Sequence, residues 1–324
     1  MKKIVIILPY YGRLPSYFDL FLQSALNNDK FDFLIITDNL IKLDNTGSNI
    51  HILNRDISWF KRRLQAVIDI PIVLDTPYKL CDYKPAYGLA LQDEIRNYEF
   101  WGYCDSDIIL GNLAEFITQN ILDVYDRVYY LGHLCLYRNV IEMNELFKIE
   151  HNFKDCFSYR YVYSTKFICA FDEVGTKYGF GLSEICRRMK VREYRSIDFA
   201  DVMPHSYNFI LDNISDNKYD IFEVENGRLY GYKNNGTQKT EFAYIHLQKR
   251  KMLLINIIDK QHYYISPCAF RNTMEEANED SMSLLNRINY GKQYKTRKIK
   301  TKIKKIMQGA IKHYYDKCYD NINV

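Results

Sequence analysis

The sequence predicts an α/β fold, and three observations carry that prediction. Residues 4–8 (IVIIL) are a continuous apolar, β-branched run, the pattern of a parallel strand buried on both faces, and residues 31–37 read as a second strand. Between them, residues 17–27 place Phe18, Phe21, Leu22 and Ala25 on one helical face, which completes a strand–helix–strand unit. Further on, residues 101–112 (WGYCDSDIILGN) set Asp105 and Asp107 in an apolar frame at the end of another strand. At 324 residues the chain is large for one domain and suits an α/β domain with additions.

The elements follow in order. Residues 9–15 (PYYGRLP) form the loop at the carboxyl end of the first strand, where open α/β sheets bind ligands, and Ser16 is placed to cap the helix. No G-x-G-x-x-G follows the first strand, which argues against a dinucleotide-binding domain. The second strand closes at Asp38-Asn39. Residues 51–53 make a third strand, residues 58–67 a helix capped by Ser58, and residues 71–74 a further brief strand. Residues 78–89 (YKLCDYKPAYGL) mix charge, aromatics, proline and glycine in a loop that leads into a helix over 89–95. Residues 98–104 are the strand that delivers Asp105 and Asp107, and a helix follows over 114–120. Residues 127–139 read as strand, turn, strand, residues 157–170 as extended, and a helix runs from Gly179 to about Lys190. Residues 223–230 look like a hairpin, and Asn234-Asn235-Gly236 signals a second hairpin turn. Alternation in residues 241–250 puts Phe242, Tyr244 and His246 on one strand face, and residues 252–258 and 262–270 close the set.

Two carboxylates at i and i+2 in apolar surroundings are costly unless a cation accompanies them. A hard divalent ion held together with substrate phosphates is the simplest remedy, whereas an isolated D-x-D is also compatible with two water-facing aspartates. Taken with the order of the preceding elements, the motif resembles the nucleotide-diphospho-sugar glycosyltransferases of the GT-A fold, a Rossmann-like α/β fold with a mixed central sheet. The resemblance covers residues 1–270, with 1–112 as the donor half and 113–270 as the acceptor half, and is most similar to a bacterial group associated with surface polysaccharide genes.

The resemblance implies a metal-dependent hexosyltransferase using Mn²⁺ or Mg²⁺ and a nucleotide-sugar, preferably a UDP-sugar, with a glycan or lipid-linked glycan as acceptor. It implies Asp105, Asp107 and His246 as metal ligands, with Ser106 of the motif at the donor. Pro9, Tyr10, Tyr11, Arg13 and Asp38 fall near the nucleoside. Lys79 and Lys84 fall near phosphate, Asp82 near a sugar hydroxyl, and Lys249 or Arg250 at the diphosphate. Glu173, ahead of Asp172, is the candidate base for the acceptor hydroxyl. The H-x-x-G-x-x-K-P-W signature of retaining relatives is absent after His246, so the stereochemical outcome stays open.

Composition narrows the classes. None of the eight cysteines has C-x-x-C spacing, which points away from structural zinc or a dithiol and toward a reducing, cytoplasmic setting. No apolar run reaches membrane-spanning length. The net charge of +4 is uneven: residues 292–324 hold ten Lys and Arg against Asp316 and Asp320, a +8 segment on a −4 remainder. Ile299, Ile303, Ile306 and Ala310 form a helical stripe among lysines, so residues 271–324 read as a basic helical extension. Residues 292–317 are thereby expected to lie on an anionic membrane surface, peripheral to the cell membrane. The rival readings are a nucleic-acid-binding protein built on the lysines, disfavoured by the acidic body, and a nucleotidyltransferase.

Overall fold

The computed structural model describes residues 3–42, 49–233, 236–248 and 250–320, with the side chains at 304, 305 and 307–320 excepted. Seven strands form the central sheet: β1 (Ile4–Tyr10), β2 (Phe31–Thr37), β3 (Ile50–Asn54), β4 (Phe100–Cys104), β6 (Arg127–Leu131), β7 (Leu134–Arg138) and β10 (Glu193–Tyr194). Their spatial order is β10-β6-β7-β4-β1-β2-β3. The strands β4-β1-β2-β3 are mutually parallel, while β7 runs antiparallel to both β4 and β6. The result is a mixed, broadly Rossmann-like α/β domain with helices at its carboxyl terminus.

Strand alternation explains the layering. Val5 and Ile7 of β1, with Trp101 and Tyr103 of β4, face a core shared with Phe60 and Leu64 of the helix Ile57–Val67. Ile4, Ile6 and Leu8 face the opposite core with Phe18, Phe21 and Ala25 of the helix Phe18–Leu26. A strand apolar on both faces is stable only when both are covered, and each fully buried Ile or Phe contributes about 1.5–3 kcal/mol.

The short β5 (Ile108–Leu110) leaves the D-x-D motif and joins a second sheet, β11-β17-β5, with β11 (Ala200–Asp201) and β17 (Tyr244–His246). Two small ribbons, β8 (Gly175–Thr176) with β9 (Gly179–Phe180) and β12 (Phe209–Ile210) with β13 (Lys218–Tyr219), precede a six-stranded sheet. That sheet comprises β14 (Ile221–Glu225), β15 (Arg228–Lys233), β16 (Gln238–Phe242), β18 (Leu253–Leu254), β19 (His262–Ile265) and β20 (Ala269–Arg271). The expected 223–230 hairpin is β14–β15. Its turn, Asn226-Gly227, has φ of 49° and 78°, the two left-handed positions a two-residue hairpin requires. The turn expected at 234–236 falls partly outside the described residues.

Several local expectations are corrected. Ser16 does not cap the first helix, which begins at Phe18 without a side-chain cap. Asp56, not Ser58, caps the second, accepting from the Trp59 amide at 2.7 Å. Residues 71–74 form no strand: the Val73 amide donates to the Tyr163 carbonyl at 2.8 Å and its carbonyl accepts from the Tyr83 hydroxyl, so neither joins a ladder. Residues 159–164, expected to be extended, are a helix capped by the Ser158 hydroxyl. The single helix expected at 89–95 is replaced by a chain of short helical turns from Pro77 to Ile95, two of which begin at Lys84, just before Pro85, and at Tyr87. Beyond the sheets, a capping box at Thr273 and Glu276 starts the helix Met274–Met282, and a long helix, Leu284–Asp320, follows. Among the described residues, no helix is long and apolar enough to cross a membrane.

Gly88 fixes how the helical turns meet the sheet. A Cβ at this position would lie 2.1 Å from the Trp101 indole, whose Nε1 donates to Asn144 Oδ1 at 2.6 Å. Gly88→Ala is therefore expected to destabilise the fold by about 1–3 kcal/mol through overpacking against a ring that cannot rotate away. Urea denaturation monitored by tryptophan fluorescence checks this, and an unchanged midpoint would refute the packing argument.

Candidate active site

The site forms where three chain segments end at one edge of the central sheet. The β1 loop brings Pro9, Tyr10, Tyr11 and Arg13, the turn after β4 brings Asp105, Ser106 and Asp107, and β17 brings His246. They line a cleft of about 1090 Å³, ample for a ligand of drug size or larger. Asp172, Glu173, Lys84, Gln248, Arg250 and Lys251 add to its polar lining.

Backbone pairing places the histidine. β17 runs antiparallel to β5 with His246 opposite Ile108, and the Leu247 amide donates to the Asp107 carbonyl at 2.9 Å. On its other side β17 pairs with β11, setting His246 opposite Asp201. His246 Nε2 consequently lies 3.5 Å from Asp107 Oδ1, and Nδ1 lies 2.9 Å from Asp201 Oδ1. Gln248 Nε2 also donates to that Asp201 oxygen, at 2.9 Å. Asp105, Asp107 and His246 each offer one ligand atom, all within 4.8 Å of one another. Two carboxylates and one imidazole, partly open to a cleft, form a donor set suited to Mn²⁺ and less so to Mg²⁺. Asp201 holds the imidazole as outer carboxylates hold metal-binding histidines, with Nδ1 toward the acid and Nε2 toward the site. Burial alone would lower His246, but the hydrogen bonds to Asp107 and Asp201 overcome it and raise the ring to about 10. A cation arriving at Nε2 would displace that proton. His133, its ring centroid 4.4 Å from that of His246 and tilted by 33°, is pushed down to about 3 by burial and by the neighbouring ring, and stays neutral.

Lys84 organises the opposite wall. Its ammonium donates to Asp105 Oδ1 at 2.7 Å and to the Gly132 carbonyl at 2.7 Å, and it lies 3.0 Å from Asp172 Oδ2. Gly132 is needed for this approach, since a Cβ there would stand 2.3 Å from Asp172 Oδ2 and 2.6 Å from Glu173 Cγ. Burial raises Asp172 to about 7 against the opposing pull of Lys84, and burial likewise raises Glu173. Glu173 is the more accessible of the two; Asp172 is buried.

The structure redistributes several expected roles. Lys84 does not face the cleft as a free phosphate ligand, because its three donors are already engaged. Lys79 and Asp82 are fully buried and pair with each other at 2.7 Å. Lys79 also donates to the Val162 and Phe167 carbonyls, and Asp82 accepts from the Cys169 and Phe171 amides, so both brace the segment before Asp172 rather than contact a donor. Asp38 is exposed and is not part of the cleft lining. Arg250 borders the cleft, but its guanidinium donates to the carbonyls of Met203, Ser206, Tyr207 and Pro267, leaving it to tie a loop. Lys249 lies outside the described residues. Arg13 and Lys251 line the cleft without an ion pair among the described residues, as does Arg250, whose guanidinium is taken up by carbonyls. Asp201 and Lys251 were not singled out from sequence. The only signal for Lys251 was its place in the run Lys249-Arg250-Lys251, and Asp201 had no signal beyond the register that sets it opposite His246.

A family model described as "Family of unknown function (DUF6625)" matches residues 6–274. The chain belongs to the DUF6625 family. No curated protein matches it. Among solved structures, it is similar to the galactosyltransferase LgtC in complex with donor and acceptor sugar analogs. The identity is 10% and the TM-score 0.40, with 75% of this chain and 86% of that one covered. A likeness at that level carries no argument about this DUF6625 protein, so its function rests on its own residues.

The support of His246 by Asp201 is directly measurable. Asp201→Asn is expected to weaken Mn²⁺ binding by about 10–100-fold in calorimetric titration, because the ring loses the acceptor that fixes its tautomer and orientation. The far-UV circular dichroism should stay that of the wild type. An unchanged Mn²⁺ affinity would remove Asp201 from the site.

Proposed function

We propose that this protein is a metal-dependent glycosyltransferase of the GT-A type, moving a sugar from a nucleotide diphosphate donor, preferably a UDP-sugar, to a glycan or lipid-linked glycan acceptor in surface polysaccharide synthesis. The observation that carries the reading is the convergence of Asp105, Asp107 and His246 at the carboxyl edge of a parallel sheet, inside a large cleft shared with the β1 loop. The sequence resemblance of the first strand, the D-x-D stretch and the late histidine supports it. When bound by these three residues, a divalent cation supplies charge neutralisation to the departing nucleoside diphosphate.

The chain's own groups account for the rest. Tyr10 and Tyr11 offer ring faces for the nucleoside, with the Tyr10 hydroxyl held to the Arg13 carbonyl at 2.9 Å. The Tyr11 hydroxyl is buried without a hydrogen-bond partner among the described residues. Arg13 and Lys251, both in the cleft lining, supply positive charge for the diphosphate. Lys84 holds Asp105 in place and keeps Asp172 engaged, which leaves Glu173 to accept the proton of the acceptor hydroxyl. That oxygen bonds to the anomeric carbon as the bond to the diphosphate breaks. Burial raises Glu173 against the opposing pull of Lys84, which strengthens it as a base.

Two experiments test this. Asp107→Asn should abolish Mn²⁺-dependent release of UDP from a panel of UDP-sugars while the thermal midpoint stays close to wild type. Full activity in the variant, or undiminished turnover in excess chelator, would sink the proposal. Glu173→Gln should lower transfer by about 10²–10⁴-fold with nearly unchanged donor KM, because a base acts in the transition state. Normal transfer by this variant would reassign the proton to another acceptor.

A further inference from the structure

The terminal helix, Leu284–Asp320, carries a surface that the cleft chemistry does not use. Its base is fastened on one side: Tyr290 donates to the Pro204 carbonyl at 2.7 Å, its ring packs on Tyr207 at 5.7 Å, and Arg287 donates to Asn208 at 3.2 Å. At about 100° per residue, Tyr290 points opposite a stripe made by Leu284, Ile288, Ile299, Ile303 and Ile306. These five side chains are between 46% and 69% exposed, so the body covers none of them.

The occupant of the stripe follows from the charge around it. The helix sequence holds eleven Lys and Arg against Asp316 and Asp320. Lys292, Lys295, Lys298, Lys300 and Lys302 form no ion pair among the described residues, and the first two, with Lys302, fall in or beside the stripe. Two such helices packed on each other would set like charges along the seam, which disfavours a second copy. A nucleic acid would use the lysines and leave the isoleucines in water. A bilayer containing anionic lipid accepts both, taking the apolar stripe below the headgroups while the lysine stems extend upward to them. We infer that the outward face of this helix is a docking surface for anionic lipid membranes. The inference stands apart from the chemistry of the cleft. It also locates the cleft, because Arg250 at its border stacks 4.9 Å from the Tyr290 ring at the helix base.

Co-sedimentation of the full chain with vesicles tests the inference. Wild type should bind vesicles of phosphatidylglycerol and phosphatidylcholine, release with added salt, and ignore phosphatidylcholine alone. Replacing Lys295, Lys298 and Lys302 with Gln together should weaken partitioning about a hundredfold, near fivefold for each charge. Ile299→Asp with Ile303→Asp should abolish it, and both variants should keep the wild-type thermal midpoint. Equal binding of the isoleucine variant, or equal binding to neutral vesicles, would overturn the inference. So would a dimer in analytical ultracentrifugation that the isoleucine variant dissolves, or tight duplex DNA binding by wild type that does not meet vesicles.

Discussion

Five carboxylates meet around one cleft, and the arrangement depends on two cations that keep them there. Asp105 and Asp172 share Lys84, while Asp107 and Asp201 flank His246, whose ring they hold protonated. Glu173 lies next to both groups. A buried carboxylate without a partner is expelled or neutralised, at a cost of several kcal/mol. The short helical turns that carry Lys84 and the register of β17 are therefore conditions for the acidic cluster to exist. Lys84 links the two halves of the site: one ammonium touches a residue of the D-x-D motif and a residue of the acidic pair at the far wall. Loss of that ammonium would uncouple the two walls while leaving every carboxylate in the sequence.

The central sheet was legible because its strands are apolar on both faces, a pattern no exposed element can sustain. β1, β2, β4 and the β6–β7 pair all follow from runs of that kind, and the β14–β15 hairpin follows from Asn-Gly. The helical breaks between Pro77 and Ile95 were not legible. They answer to contacts with Trp101 and with the segment before Asp172, which lie outside any local window. The same cause limits the site. Asp105, Asp107 and His246 were named from pattern and resemblance, and they do meet. Lys79 and Asp82 stand out because charge beside aromatics resembles a binding loop, and Arg250 because the resemblance places basic side chains next to the late histidine. In three dimensions that charge satisfies buried backbone carbonyls and amides. A sequence shows that a cation is present, but its partner is a matter of tertiary structure. Asp201 is the converse: an acid in an unremarkable stretch that acquires its role only through pairing with β17.

The D-x-D motif and His246 lie far apart in the chain, and the antiparallel β5–β17 ladder brings them together. Such a long-range pairing closes late, after the loop between its strands has lost its conformational freedom. A partly folded chain, with β1 to β4 assembled but β17 not yet docked, would thus hold two aspartates and no third ligand. A divalent cation held by all three groups, as proposed above, would bind the native state in preference to that partly folded chain and so by mass action would favour completion of the fold. The proposed cation would in that case serve the chain as a proofreading step in its own assembly, with the last strand to arrive bringing the ligand that closes the site.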